Sequence, residues 1–239
     1  MTMWERKQVS RRTFLAAAGG AVVSIGLPGL FVKRLDFENR ALAAELRPDG
    51  RPRLPPGQEA VSMLSDMGGR PGKATVSDWK LRIHGEVERP LILDFREFMK
   101  LPQVEITCDV HCVTGWTLLN SRWTGVQLKT VMDFTGTRQG ARFVIFEAAA
   151  GYTSNIPMSE ALKDKVILAH SFSGAPLPKA YGAPVRALVP DRYFYKSAKW
   201  LEGIKVTARD EPGYWERGGY SNSADPWKEE RFESSRKPL

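Results

Sequence analysis

Cysteine and histidine are scarce in this chain. Its 239 residues include two cysteines, Cys108 and Cys112, and three histidines, His84, His111 and His170. That supply excludes a disulfide framework, an iron–sulfur cluster held by four thiolates and a four-cysteine zinc site within one chain. A metal bound here would draw most of its coordination from groups other than side chains. The chain also lacks a glycine-rich dinucleotide fingerprint, an internal repeat and a basic stripe with spaced aromatics, so no nucleic-acid partner is expected. Its net charge is +8, and residues 1–40, with seven Lys/Arg and three Asp/Glu, carry half of it. The modest remainder suits a local positive pocket for an anionic ligand.

The N-terminal charge has a pattern. "SRRTFL" at 10–15 places paired arginines before an uncharged run from Phe14 to Val32, rich in Gly and Ala. This matches a twin-arginine export signal. The run is near the lower length limit for spanning a bilayer, and Gly19, Gly20, Gly26, Pro28 and Gly29 make it a poor rigid helix. The expected organisation is an export signal and linker over 1–45 and one domain over 46–239. The periplasm is the expected destination, with a membrane tether if the signal stays uncleaved. The twin-arginine route carries folded proteins, often ones already loaded with a cofactor.

Residues 46–74, rich in Pro, Gly and Arg, read as an extended arm. Alternation of Trp79, Leu81 and Ile83 with Lys80, Arg82 and His84 predicts a half-exposed strand over 78–87. Helical spacing over 93–102, with Asp94 as cap and Pro102 as stop, predicts a helix. A second helix is predicted over 124–134 behind Thr124, and a third over 159–165. Strands are predicted at 103–112, 141–149, 166–172, 185–190 and 203–209. The turn-rich tail, 212–232, should pack Tyr214, Trp215 and Trp227 onto the body. Strands outnumber helices and connections vary in length, which predicts a mixed, strand-rich α+β fold.

"ITCDVHCVTGW" at 106–116 holds both cysteines. Cys108 shares a strand face with Ile106 and Val110 and reads as core. A disulfide to Cys112 would need a tight turn, because four residues of extended chain separate Cα atoms by about 13 Å. A zinc site from the cysteines and His111 fails because His111 faces the other side of the strand. Cys112 sits where alternation breaks, so its thiolate could serve as nucleophile or as a single soft ligand.

"HCVTGW" (111–116), "WTGV" (123–126), "GYTSNIPM" (151–158) and "GAPLPKAYGAPVRALVPDRYFYKSAKW" (174–200) resemble, in order, the molybdenum-cofactor domain of the sulfite oxidase superfamily. "RLPPGQ" (53–58) and "PGYWERGGYSNSADPW" (212–227) are similar to its small bacterial oxidoreductases. The resemblance implies molybdenum and molybdopterin as cofactors, with Cys112 as the one protein ligand to the metal. It implies Tyr152 and Arg186 near the substrate. It assigns His111, Asn155, Arg186, Lys196, Ser197 and Lys199 to the pterin and its phosphate. Arg186 interrupts an apolar strand, where an unpaired charge is costly. An anionic ligand would compensate it, as would a carboxylate such as Glu202 or Asp191.

Sulfite oxidases proper carry an asparagine and two arginines just after the ligand cysteine. This chain has Val113, Thr114, Gly115 and Trp116 there, and Ser221 where relatives often carry histidine. Fewer cations beside the metal disfavour a dianionic substrate such as sulfite. The resemblance therefore implies two-electron oxygen-atom transfer at a sulfur or related S- or N-oxide centre. The substrate would be a small sulfur compound or an oxidised protein side chain, and electrons would be exchanged with a separate haem- or quinone-linked, membrane-associated protein. The alternative is a non-catalytic periplasmic pterin-binding or assembly protein of the same fold.

Overall fold

The computed structural model describes residues 41–233, so residues 1–40 of the expected export signal lie outside the described residues. Two sheets dominate. The first contains β1 (Glu59–Val61), β4 (Gln103–His111), β5 (Trp116–Gln127), β8 (Ile167–Phe172), β9 (Ala175–Pro176) and β10 (Arg186–Leu188). Its path runs β1-β5-β8-β10, with β4 paired to β5 and β9 to β8. The second sheet has the order β3-β2-β11-β6-β7, formed by β3 (Leu91–Asp94), β2 (Lys80–Gly85), β11 (Leu201–Thr207), β6 (Phe143–Ala148) and β7 (Thr153–Pro157). Both sheets mix parallel and antiparallel pairs: β1–β5 and β2–β11 are parallel, while β4–β5 and β6–β11 are antiparallel. The expected α+β, strand-rich architecture is the one observed.

The period-2 pattern explains the layering. Trp79, Leu81 and Ile83 are buried in the main core, while Lys80 and Arg82 are exposed. β8 serves two cores: Leu168 enters the main one, and Ile167 and Ala169 enter a second with Cys108, Val110, Trp123 and Phe194. On β10, Ala187 joins the main core and Leu188 the second. Arg186 shares the face of Leu188 and is therefore carried into the second core.

Helices are short. α1 (Phe95–Phe98) begins at Asp94 with a capping box: Asp94 accepts from Glu97 N–H, and the Glu97 carboxylate accepts from Asp94 N–H. α2 spans Leu128–Thr135 and follows Gln127, which provides no side-chain cap. The predicted cap Thr124 instead lies within β5, opposite Glu105 and Ser171. β5 continues because Val126 and Trp123 bury fully against both cores. α3 is Met158–Ala161 and α4 is Tyr214–Arg217.

The arm is ordered by pairing: β1 adds to β5 in parallel, and Leu46 bridges to Pro52. Trp227 of the tail packs inward as expected. Its Nε1 donates to Pro52 O (2.7 Å), its ring meets His111 edge-on at 4.9 Å, and Arg47 and Arg51 lie over its faces. Tyr214 and Trp215 depart from expectation and remain 54% and 40% exposed. Tyr214 and Trp215 meet edge-on, Trp215 meets Tyr220 edge-on, and Tyr214 lies tilted against Tyr152, all lining a cavity.

Candidate active site

A cavity of about 630 Å³ opens between the sheets' loops. Cys112 reaches it from the turn between β4 and β5. β4 carries a register shift between Cys108 and Val110 and ends at His111, so the simple alternation of the cysteines stops there. The turn closes with Cys112 N–H on Trp116 O (2.8 Å) and Gly115 N–H on Cys112 O (3.1 Å). Gly115 sits at φ +105, a backbone state that favours glycine. The turn projects the Cys112 sulfur into the cavity while leaving Cys108 in the second core; both thiols are free.

The two thiols have different surroundings. Burial pushes the Cys108 thiol up to about 12, against weaker lowering by the Ser121 hydroxyl and the Lys165 charge. Burial also raises Cys112, but the hydroxyl and backbone N–H of Thr114 face its sulfur at 3.0 and 3.4 Å, and the Arg231 charge acts in the same lowering sense. Met67 brings a second sulfur to 3.8 Å. Cys112 is therefore the thiol equipped for thiolate chemistry.

Arg186 lines the same cavity and is 2% exposed. Its guanidinium donates to three backbone carbonyls: Ala187 (3.2 Å), Tyr181 (3.0 Å) and Ser197 (2.8 Å). It lies over Phe194 at 4.3 Å and Trp123 at 5.4 Å. Its polar partners are neutral carbonyls. Asp191, one carboxylate considered from sequence, is occupied by Arg47 at 2.6 Å. Burial lowers the Arg186 guanidinium to about 9, so it remains a cation at neutral pH. A buried cation whose polar partners are neutral carbonyls keeps its charge uncompensated at the cavity wall, and an anion there could compensate it.

Ser197 and Lys199 join Arg186 at that wall. The Ser197 hydroxyl accepts from Val189 N–H (2.9 Å). Lys199 donates to Asp66 (3.1 Å), Gly68 O (2.5 Å) and Ala180 O (2.9 Å), and lies over the Trp200 ring. Tyr152 lines the same cavity, after a turn in which Ala150 takes φ 57. Its hydroxyl donates to Tyr195 O (2.5 Å), and burial raises its acidity threshold well above that of a free phenol. Ala150 and Trp200 both hold left-handed backbone states and both line the cavity, the kind of local strain that tertiary packing maintains at sites.

Three sequence-selected residues lie outside the lining. Lys196 is buried against Glu216 and Asn155. Asn155 also donates to Asp210 and Asn222 and faces a separate cleft. His111 pairs its Nδ1 with Thr117 Oγ1 (2.9 Å), leaves Nε2 buried without a hydrogen-bond partner, and is lowered to about 4 by burial. The structure thus brings Cys112, Tyr152, Arg186, Ser197 and Lys199 together and places Lys196, Asn155 and His111 behind them. Sequence reasoning missed Thr114, Gln58 and Arg231, which contact the Cys112 turn. The spacing of Thr114 from Cys112 was the one available signal, because a hydroxyl two residues on can turn back to a thiol.

Among the described residues, no three His, Cys, Asp or Glu side chains gather as a metal-binding cluster. A metal-bearing group that brings its own sulfurs and an anionic tail fits this donor set. The single thiol donor Cys112 and the carboxylate-free Arg186 share one cavity large enough for such a group.

Comparison with known proteins agrees. Residues 67–215 match the family model described as oxidoreductase molybdopterin-binding domain. The chain is 37% identical over 182 residues to the uncharacterized oxidoreductase YuiH of Bacillus subtilis (strain 168), covering 75% of this chain and 92% of that protein. It is 28% identical to the protein-methionine-sulfoxide reductase catalytic subunit MsrP of Burkholderia mallei, over 91% of this chain and 75% of that one. The sulfane dehydrogenase SoxCD of Paracoccus pantotrophus shares the fold, with a TM-score of 0.58 and 19% identity over 85% of this chain and 59% of that one. With these motifs in order around one cavity, the chain belongs to the oxidoreductase molybdopterin-binding domain family.

Proposed function

We propose that this oxidoreductase binds molybdenum and molybdopterin in the Cys112 cavity and transfers an oxygen atom at a sulfur, or related S- or N-oxide, centre. One observation carries the reading: a free thiol and a buried cation without a carboxylate face one cavity. Cys112 would be the protein's ligand to the metal. Arg186, Ser197 and Lys199 would hold the pterin phosphate. Lys196, Asn155 and His111 would support that wall from behind. When bound, the group supplies two-electron oxygen-atom chemistry.

The protein's own residues shape the rest. Tyr152, Tyr214, Trp215 and Tyr220 form an aromatic mouth. Residues 113–116 add no basic side chain beside Cys112. A neutral substrate with an apolar body, such as a sulfoxide, suits this mouth better than sulfite. The Tyr152 hydroxyl donates to a backbone carbonyl, so its ring fixes one side of the entrance and its oxygen keeps acceptor capacity. Electrons would be exchanged with a separate haem- or quinone-linked protein at the membrane. The reading includes twin-arginine export to the periplasm of a 46–239 domain. Among the described residues no helix is long and apolar enough to cross a membrane.

The test is metal and pterin content of protein exported by a host with intact cofactor synthesis, beside Cys112→Ser, followed by turnover of sulfite, sulfoxides and N-oxides. About one molybdenum per chain, lost in Cys112→Ser, is expected. Wild type without molybdenum or pterin would overturn the cofactor assignment. Loaded enzyme that turns over neither sulfite nor any S- or N-oxide would overturn the substrate class, and a preference for sulfite over every oxide would overturn the neutral-substrate reading of the mouth.

A further inference from the structure

The turn that presents Cys112 is braced from outside by two side chains remote in sequence. Gln58 Nε2 donates to the Cys112 carbonyl (3.0 Å), and its Oε1 accepts from Thr117 Oγ1 (3.2 Å). Arg231 donates from Nη1 to Val113 O and from Nη2 to Gly57 O (3.0 Å). The first ties the arm to the turn. The second ties the C-terminal tail to both.

The brace has a prepared seat. Gly57 takes φ +64, and a Cβ there would lie 3.0 Å from Arg231 Nη2 and 2.8 Å from Glu229 Oε1. The guanidinium thus rests where any larger residue at 57 would intrude. Glu59 N–H donates to Gly115 O (2.8 Å), so arm and turn are also joined beside the brace. Within itself the turn has two backbone bonds that close it and the Thr114 contacts to the Cys112 sulfur, and Gly115 adds conformational freedom. A cofactor attached through one protein sulfur would inherit any looseness of that turn.

We infer that Arg231 is a positioning residue for the Cys112 sulfur, its planar fork bridging the Val113 and Gly57 carbonyls while Gln58 fixes the carbonyl of Cys112 itself. The inference rests on Cys112 as metal ligand. A lysine cannot replace this bridge, because an ammonium offers a point charge on a flexible stem in place of two donors fixed in one plane. The last turn of the tail therefore completes the site, although it contributes no lining residue.

Two measurements on the full exported chain test it, with Arg231→Lys and Arg231→Ala beside wild type. Hydrogen exchange by mass spectrometry follows the segment 112–116 in metal-free protein. Electron paramagnetic resonance follows the half-reduced metal in loaded protein. Both variants should exchange roughly tenfold faster in that segment, consistent with losing a charged double hydrogen bond. Both should give a shifted or heterogeneous spectrum. Wild-type exchange and spectrum in Arg231→Ala would overturn the inference. Full rescue of both by Arg231→Lys would assign the effect to charge and overturn the bridge. Should Arg231→Ala fail to fold, Gln58→Met removes the neighbouring donor at similar volume, and its unchanged exchange and spectrum would overturn the brace. Wild type without molybdenum would defeat the cofactor reading alone, and the exchange arm would still decide the brace.

Discussion

Arg186 and Cys112 show how two side chains of ordinary type acquire a role from what surrounds them. Three carbonyls hold the Arg186 fork while leaving its charge uncompensated. Arg186→Lys retains charge but cannot keep all three bonds. It should cost about 1–3 kcal/mol in urea unfolding, and retained pterin should fall at least tenfold. The two cysteines diverge for a similar reason. Cys108 is packed with Val110 and Trp123, while Cys112 faces Thr114 and the cavity. Cys108→Ala should leave the molybdenum content unchanged and lower stability by about 1 kcal/mol, as a small truncation in a core does. Sequence periodicity placed Cys108 in the core and isolated Cys112 at the strand end. It could not assign carbonyl partners to Arg186, because these come from Tyr181 and Ser197 on separate loops.

At the scale of elements, β5 is the spine on which the site hangs. It pairs with β1, β4 and β8 along its twelve residues. At Gly125 the neighbouring strand comes so close that a Cβ would lie 2.1 Å from Leu168 O. Gly125→Ala should therefore part β5 from β8 and cost about 3 kcal/mol or more, read as insoluble expression or a large drop in urea midpoint. β8 also carries His170, which meets Phe95 and Phe98 of α1 edge-on and Gln103 Oε1 at 3.2 Å. Burial lowers its affinity for a proton. The unfolded chain then takes up that proton first as pH falls below about 6.5, so the folded state loses stability in that window. Urea midpoints at pH 7.5 and 5 should differ less in His170→Gln than in wild type. Alternation made β2, β4, β6, β8, β10 and β11 legible, whereas β5 itself and the strands β1, β3, β7 and β9 were not predicted as strands. The Thr124 cap was misplaced because tertiary burial of Trp123 and Val126 extends β5 through it.

For the whole molecule, the arm and the tail are working parts of the domain. Trp227 joins them: it donates to Pro52 O, carries Arg47 and Arg51 over its ring, and meets buried His111 edge-on. Trp227→Ala should cost about 3 kcal/mol and open the arm to proteolysis near Arg47 and Arg51, seen in a limited trypsin digest of the full chain. The expected inward packing of Trp227 was correct, but Tyr214 and Trp215 stand at the cavity mouth. Aromatic residues in a turn-rich tail carry no periodicity, so sequence could not separate a core anchor from an entrance wall.

The amino-acid sequence by itself determined the mixed strand-rich fold, the scarcity of metal-ligating side chains, the isolation of Cys112 at a strand end and the ordered motifs of the family. These are local properties, set by alternation, composition and spacing. Only the tertiary structure decided which cations face the cavity. It turned Lys196 inward to Glu216, kept Arg186 free of carboxylates, and brought Gln58 and Arg231 behind Cys112. Those outcomes depend on contacts between segments far apart in the chain. Burial made each of them decisive, because a buried charge must find a partner that no local pattern names.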